Sequence, residues 1–292
     1  LGLPLKIVDS FFVRIEALLK SYQAEEVFFQ SGSKGILIDR LGHHIGLSYD
    51  IDPPESLDWL EFLFLLADVS KCRISDKNPT QGGIHSATNI RWHLVLAPLL
   101  SSSFLFVCRR HSFDSGTLNL PSNWDEYHSE IETRHRSCSA IVVYGPSGSG
   151  KTTFLHSMMS MWLANSRTVI VEMFEELPSM NPLWSKLKII ESERSDLGKS
   201  AYHALVGTVL RLRPQSIVIG ETRLTEMELL GWLSNTGHGV VWTTMHARSL
   251  VEIAHTLAPF VKADFRKESI FGIGLSRQRD GRSLIAECGL IN

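Results

Sequence analysis

The sequence predicts a two-domain α/β chain. A parallel sheet covered by helices on both faces forms the C-terminal domain, and a smaller α+β domain precedes it. Three observations carry this expectation. Beyond residue 140, short continuous apolar runs alternate with stretches of helical spacing, as in a sheet whose strands are buried on both sides. One of these runs, Ala140-Ile141-Val142-Val143-Tyr144, leads into Gly145-Pro146-Ser147-Gly148-Ser149-Gly150-Lys151-Thr152-Thr153, which fits G-x-x-x-x-G-K-[ST]. The first 112 residues instead mix an amphipathic helix with short alternating strands, and a length of 292 residues suits two domains.

In chain order, Val8, Phe11, Phe12, Ile15, Leu18 and Leu19 form one apolar helical face. Strands follow at 27–29, 35–39 and 45–49, with His43 and His44 in a hairpin turn between the last two. Asp52-Pro53-Pro54-Glu55 reads as a helix start with Asp52 as its N-cap, opening a core helix through Leu57, Trp59, Leu60, Leu63 and Leu66. Strands at 91–97 and 104–108 complete the first domain, 1–112. A Ser/Gly/Pro-rich linker, 113–123, leads to the second domain, 124–292. There, strands at 168–173, 216–221 and 240–244 follow the glycine loop. The chain closes with a hairpin, 270–275 and 284–288, turning at Asp280-Gly281.

Composition narrows the function classes. A net charge of −2 argues against nucleic acid as the main partner, because no basic excess is present to neutralise phosphates. The four cysteines contain no C-x-x-C pair, which rules out a zinc ribbon and favours a reducing cytoplasm over a disulfide scaffold. Asp9, Arg14 and Glu16 interrupt the N-terminal apolar pattern, so no signal peptide is expected. The longest uncharged stretch, 93–108, is broken by Pro98 and is too short to span a bilayer. The chain begins at Leu1 rather than methionine, which leaves a preceding segment open.

The glycine loop is the centre of the expected chemistry. Gly148 and Gly150 let the backbone wrap phosphate oxygens, and the following helix aims its N-terminus at the anion. Lys151 supplies charge to the β- and γ-phosphates of ATP, and the Thr152 hydroxyl is placed to ligate Mg²⁺. Two rival motifs fail: G-x-G-x-x-G needs glycine at Thr153, and G-x-S-x-G needs glycine at Ser149. Ligands of open α/β sheets bind at strand C-terminal ends, and here three such ends are polar. Glu221, after Ile219-Gly220, is the leading acid for holding Mg²⁺ or orienting the attacking water. Glu172, Glu175 and Glu176 form a second acidic cluster, for which a solvated turn is the alternative. His246 is read as a γ-phosphate sensor through a donated N–H, with a structural histidine as the alternative.

Together these segments resemble the secretion and pilus-assembly ATPases, the motors of type II secretion and type IV pili and the traffic ATPases of type IV secretion. Four motifs occur in the family's order. They are the Walker A loop, an acidic box Val169-Ile170-Val171-Glu172-Met173-Phe174-Glu175-Glu176-Leu177, a Walker B approach Arg211-Leu212-Arg213-Pro214 ending Gly220-Glu221-Thr222-Arg223, and a histidine box from Thr236 to Ala247. In the first domain, Asn78-Pro79, Arg91-Trp92-His93, Ala97-Pro98 and Cys108-Arg109-Arg110 extend the likeness. It is greatest to conjugation-type traffic ATPases or Tad-pilus motors. The resemblance implies a RecA-like ATPase domain, a PAS-like N-terminal domain, a hexamer with nucleotide between the two domains, and work with inner-membrane components at the cytoplasmic face. It also implies that Arg109 stabilises the transferring γ-phosphoryl group. Two positions depart from the pattern: Met173 and Gln215 stand where the family usually has aspartate. A scaffold that binds ATP but scarcely hydrolyses it is the rival function. An ABC-type transporter ATPase is poorly supported, because this chain has no L-S-G-G-Q signature.

Overall fold

The first of two units, Leu1–Ser112, is built on a six-stranded antiparallel sheet. The computed structural model describes residues 2–31, 34–39, 42–47, 51–54, 57–72, 74–110, 118–172, 176–177, 181–189, 198–223, 226–234, 239–260, 270–278 and 280–291, and of 198–203 only the backbone. Helix α1 (Leu3–Ser21) is followed by β1 (Ala24–Gln30), β2 (Ile36–Asp39), β3 (His44–Gly46), α2 (Trp59–Val69), β4 (Thr80–His85), β5 (Ile90–Leu96) and β6 (Phe104–Arg110). The sheet order is β3-β2-β1-β6-β5-β4.

The apolar stripe of α1 is buried as its spacing predicts, because residues three and four apart share a helix face. It packs with Phe62, Leu63 and Leu66 of α2 on Val27, Trp92, Leu94 and Phe106 of the sheet. Phe11 and Phe62 lie 4.5 Å apart between ring centres. Each such fully buried ring stabilises the fold by roughly 1.5–3 kcal/mol.

Helix α2 does not begin where Asp52 predicts. Asp58 is the N-cap, its carboxylate accepting from Glu61 N at 2.8 Å while Glu61 accepts from Asp58 N at 3.1 Å. A residue preceding proline is disfavoured in the α region, so Pro53 before Pro54 works against an earlier start. The Asp58–Glu61 pair satisfies two otherwise orphaned helix donors.

In the second unit, Phe113–Asn292, α3 (Trp124–Ser137) precedes β7 (Ala140–Tyr144), α4 (Lys151–Trp162), β8 (Thr168–Glu172), β9 (Trp184–Lys188) and α5 (Gly198–Arg211). There follow β10 (Ser216–Thr222), α6 (Glu226–Ser234), β11 (Val241–Met245), α7 (Leu250–Leu257), β12 (Ile270–Arg277) and β13 (Ser283–Leu290). The order β13-β12-β7-β11-β10-β8-β9 is parallel throughout except for β13. Alternate strand residues face opposite helix layers. Ile141, Val143, Val218 and Trp242 meet α3 and α4 on one side. Val142, Val171, Ile217, Ile219 and Val241 meet α5, α6 and α7 on the other. Residues 118–123, read as the end of a linker, are tied to this unit. Asn119 N donates to Ser157 Oγ, and the Asn123 amide exchanges two 2.9 Å hydrogen bonds with the Ile285 backbone.

Candidate nucleotide-binding site

Strand β7 is buried along its whole length and delivers the chain into the glycine loop. Gly145, Gly148 and Gly150 all have positive φ, at 148°, 74° and 93°. Gly150 is the N-cap of α4 in the left-handed conformation, with no side chain capping the helix and no acid in its first turn. A helix N-terminus left that way has backbone donors and a positive dipole end available for an anion. Lys151 is 7% exposed, and its ammonium donates to Gly145 O at 3.0 Å and Pro146 O at 2.8 Å. Pro146, Ser147 and Gly148 are exposed, whereas Thr152 and Thr153 are half-buried. The Ser149 hydroxyl is buried with no hydrogen-bond partner among the described residues.

Strands β11, β10 and β8 lie in succession beside β7, so their C-terminal ends share one edge with the loop. Glu221 on β10 is a quarter exposed. Its Oε2 accepts from Arg223 Nη2 at 2.8 Å and Nε at 3.1 Å, and its Oε1 is 3.1 Å from His246 Nε2. The His246 pKa is lowered by burial and then by the Lys151 charge, against an opposing pull from Glu221. The imidazole is therefore neutral near pH 7. That one ring responds to both Lys151 and Glu221 joins the glycine loop to the β10 acid electrostatically.

Glu172 ends β8 in a different setting. It is 4% exposed, and its Oε1 accepts from Glu176 N at 3.1 Å and Leu177 N at 2.8 Å. Lys186 Nζ stands 3.3 Å from Oε2, an ion-pair distance, and the same ammonium also donates to Leu177 O. Burial raises the Glu172 pKa to about 7, with Lys186 and the two backbone donors opposing it. The side chain lies over the bare Cα of Gly220, where a Cβ would come within 2.9 Å of Glu172 Cγ. Glu172 thus holds the backbone N–H of Glu176, whose negative charge pulls the His246 pKa upward.

The structure brings Gly145 through Thr153, Glu172, Glu176, Glu221 and His246 to one sheet edge. Arg109 is exposed on β6 of the first unit, its Cα paired with those of Arg91 and Glu26, and its assigned role rests on sequence resemblance. Met173, Glu175 and the Thr236–His238 part of the histidine box lie outside the described residues. Gln215, at a position usually aspartate, accepts from Arg167 N at 2.9 Å and so joins the starts of β8 and β10. Sequence reasoning missed Lys186, Arg277 and Ser283. Arg223 was visible within G-E-x-R, although its bidentate grip on Glu221 was not. No local signal marks the other three, since each meets its partner only through strand order.

A family profile described as type II/IV secretion system protein matches residues 109–288. Over 262 residues the chain is 22% identical to the conjugal transfer protein TrbB of Rhizobium radiobacter, covering 86% of this chain and 76% of that one. A putative conjugal transfer protein of Mycobacterium tuberculosis is 36% identical over 114 residues, 39% of this chain and 32% of its own length. The chain therefore spans about a third of that relative. Among solved structures, the ATPase DotB of Legionella pneumophila superposes with a TM-score of 0.62 at 18% identity, covering 97% of this chain and 81% of DotB. The pilus retraction motor PilT with bound ADP gives 0.64 at 18% identity, covering 95% of this chain and 82% of PilT. These likenesses establish the fold as that of secretion ATPases with a RecA-like domain.

Proposed function

Because this chain belongs to the type II/IV secretion system protein family, we propose that it is the ATP-hydrolysing motor subunit of a secretion or pilus-assembly machine. The supporting observation is the convergence of an uncapped helix N-terminus, Lys151, Glu221 and His246 on one sheet edge. The uncapped first turn of α4 and its positive-φ glycines suit a phosphate group. Magnesium takes few protein ligands beside nucleotide phosphates. The half-buried Thr152 hydroxyl would ligate it, and Glu221 would hold it through water or directly. When bound, the ion would neutralise charge on the transferring phosphoryl group.

In this reading, Glu221 orients the attacking water and Arg223 fixes the rotamer of that carboxylate through its two-donor contact. Neutral His246 donates its Nε2 proton toward Glu221 or, in the ATP state, toward the γ-phosphate. Arg109 contributes charge to the transferring group. The subunits assemble as a homo-oligomer, a hexamer by family analogy, and act with inner-membrane components at the cytoplasmic face. No helix among the described residues is long and apolar enough to cross a membrane. A weakly hydrolysing scaffold is the second reading, favoured by the burial of Glu172 against Lys186.

Phosphate release by the purified chain with Mg²⁺ and ATP tests the proposal. Turnover is expected in the parent, none in Lys151→Ala, and most of it lost in Arg109→Ala. Equal release from a natively folded Lys151→Ala protein overturns the site. Nucleotide binding without release in the parent selects the scaffold.

A further inference from the structure

The β12–β13 hairpin touches the glycine loop at two successive carbonyls. Arg277 Nη1 donates to Gly148 O at 3.0 Å, and Ser283 Oγ donates to Ser149 O at 2.8 Å. These two residues face each other across the last rung of the hairpin. Arg277 Nε also donates to Gly281 O at 3.0 Å, which locks the guanidinium against the turn. The hairpin is anchored in its turn: Ser283 O accepts from Ser122 N at 2.8 Å, and Asn123 holds the Ile285 backbone. Gly150 completes the fit, because a Cβ there would come within 2.4 Å of Ser283 Oγ.

Peptide geometry gives these contacts a consequence. A loop that turns its N–H groups toward a phosphate turns carbonyls the other way. Without the Arg277 donor, the Gly148–Ser149 peptide plane keeps its N–H tie to Pro146 O at 3.3 Å but loses the tie on its carbonyl side, and without Ser283 the plane that carries the Gly150 N–H at the start of α4 is loosened. We propose that Arg277 and Ser283 are positioning residues that hold the phosphate loop in its nucleotide-binding conformation by fixing the Gly148 and Ser149 carbonyls. The proposal rests on the nucleotide-binding reading of the loop. Arg277 contributes a second effect, since its guanidinium adds positive charge within a hydrogen bond of the loop. Arg277 is exposed and Ser283 half-buried, so neither is needed to fill the core.

The test is a fluorescent-ADP and fluorescent-ATP titration of the full chain, run with a thermal melt of the nucleotide-free protein. The variants are Arg277→Met, Arg277→Lys, Ser283→Ala and, as the site control, Lys151→Ala. Arg277→Met is expected to weaken binding by about 10-fold and Ser283→Ala by about 3-fold, by analogy with one charged and one neutral hydrogen bond lost. The nucleotide-free Tm should stay near that of the parent. Arg277→Lys should recover part of the affinity, because an ammonium can still reach one carbonyl. A lowered Tm with unchanged affinity marks a merely structural hairpin and overturns the proposal. Parent-like affinity in Arg277→Met and Ser283→Ala, with binding lost in Lys151→Ala, also overturns it and leaves the function standing. Failure of the parent to bind nucleotide overturns both.

Discussion

Glu172 and Glu221 end neighbouring parallel strands, β8 and β10, and each follows an apolar run. Their surroundings separate them. Glu221 is 24% exposed between two cationic or polar partners, Arg223 and His246. Glu172 is nearly sealed, pinned by backbone donors on one oxygen and facing Lys186 with the other. An acid after a strand therefore carries no fixed role. Glu221 is held but reachable, as a group that must orient water has to be. Glu172 is nearly sealed and held by the Glu176 and Leu177 N–H groups, and burial lifts its pKa to about 7.

The largest expected effect tests the reachable acid. Glu221→Gln keeps shape and loses charge, so turnover should fall by about 10²–10⁴-fold, the usual span for a positioned acid or base, while nucleotide titration stays near parent values. Loss of binding with turnover preserved would break the comparison.

The enclosed acid is tested by stability. Lys186→Met leaves a buried carboxylate without its counter-ion, a loss that can reach 3–5 kcal/mol for a sealed pair. With Lys186 itself 22% exposed, about 2 kcal/mol at pH 8 is expected. Adding Glu172→Gln should recover most of that loss in a chemical melt. The pH dependence follows from the raised pKa. Both folded and unfolded carboxyls are protonated below the ordinary value of 4.5, and the folded form alone keeps its proton as pH rises toward 7. The contribution of Glu172 to stability is therefore full at low pH and lost through that window, by about 3 kcal/mol at most. Glu172→Gln should flatten this part of the stability profile. An unchanged slope between pH 5 and 7 would show that Glu172 is solvated like Glu221.

The smallest effect belongs to the residue between the two regions. His246→Ala should reduce turnover by only about 10-fold and narrow the difference between ATP and ADP affinity in paired titrations. Its lowered pKa keeps it neutral at neutral pH, so parent and variant profiles should run parallel from pH 7 to 8. A new acid limb in the parent over that range would place its titration higher and sink the neutral-donor role.

Much of the fold was legible in the sequence where burial and periodicity agree. The α1 stripe, the alternation of β5 and β6, and the apolar runs of β7, β10 and β11 are such cases. Segments with weak contrast were not legible. Helix α3 buries only Trp124 and Ile131 among its fourteen residues, so its polar sequence has no apolar stripe from which a helix could be read. Strand β4, with Gly82 and Gly83, lacks a strand's side-chain signature. The start of α2 went to the wrong aspartate, because Asp52-Pro53 satisfies a local rule that Pro54 undoes.

By itself the sequence determined the features that contiguous residues create: the phosphate loop, the apolar strands around it, the acids at the C-terminal ends of β8 and β10, and the histidine one step past β11. Spacing along the chain fixes backbone conformation and side-chain face over such short ranges, so those features need no tertiary knowledge. The tertiary structure decided which acid is sealed and which is reachable, and which distant side chains serve the loop. Lys186 reaches Glu172 because β9 lies beside β8. Arg277 and Ser283 reach Gly148 and Ser149 because β12 lies beside β7. Both depend on strand order, and strand order is set by how whole layers bury their apolar faces rather than by any local stretch.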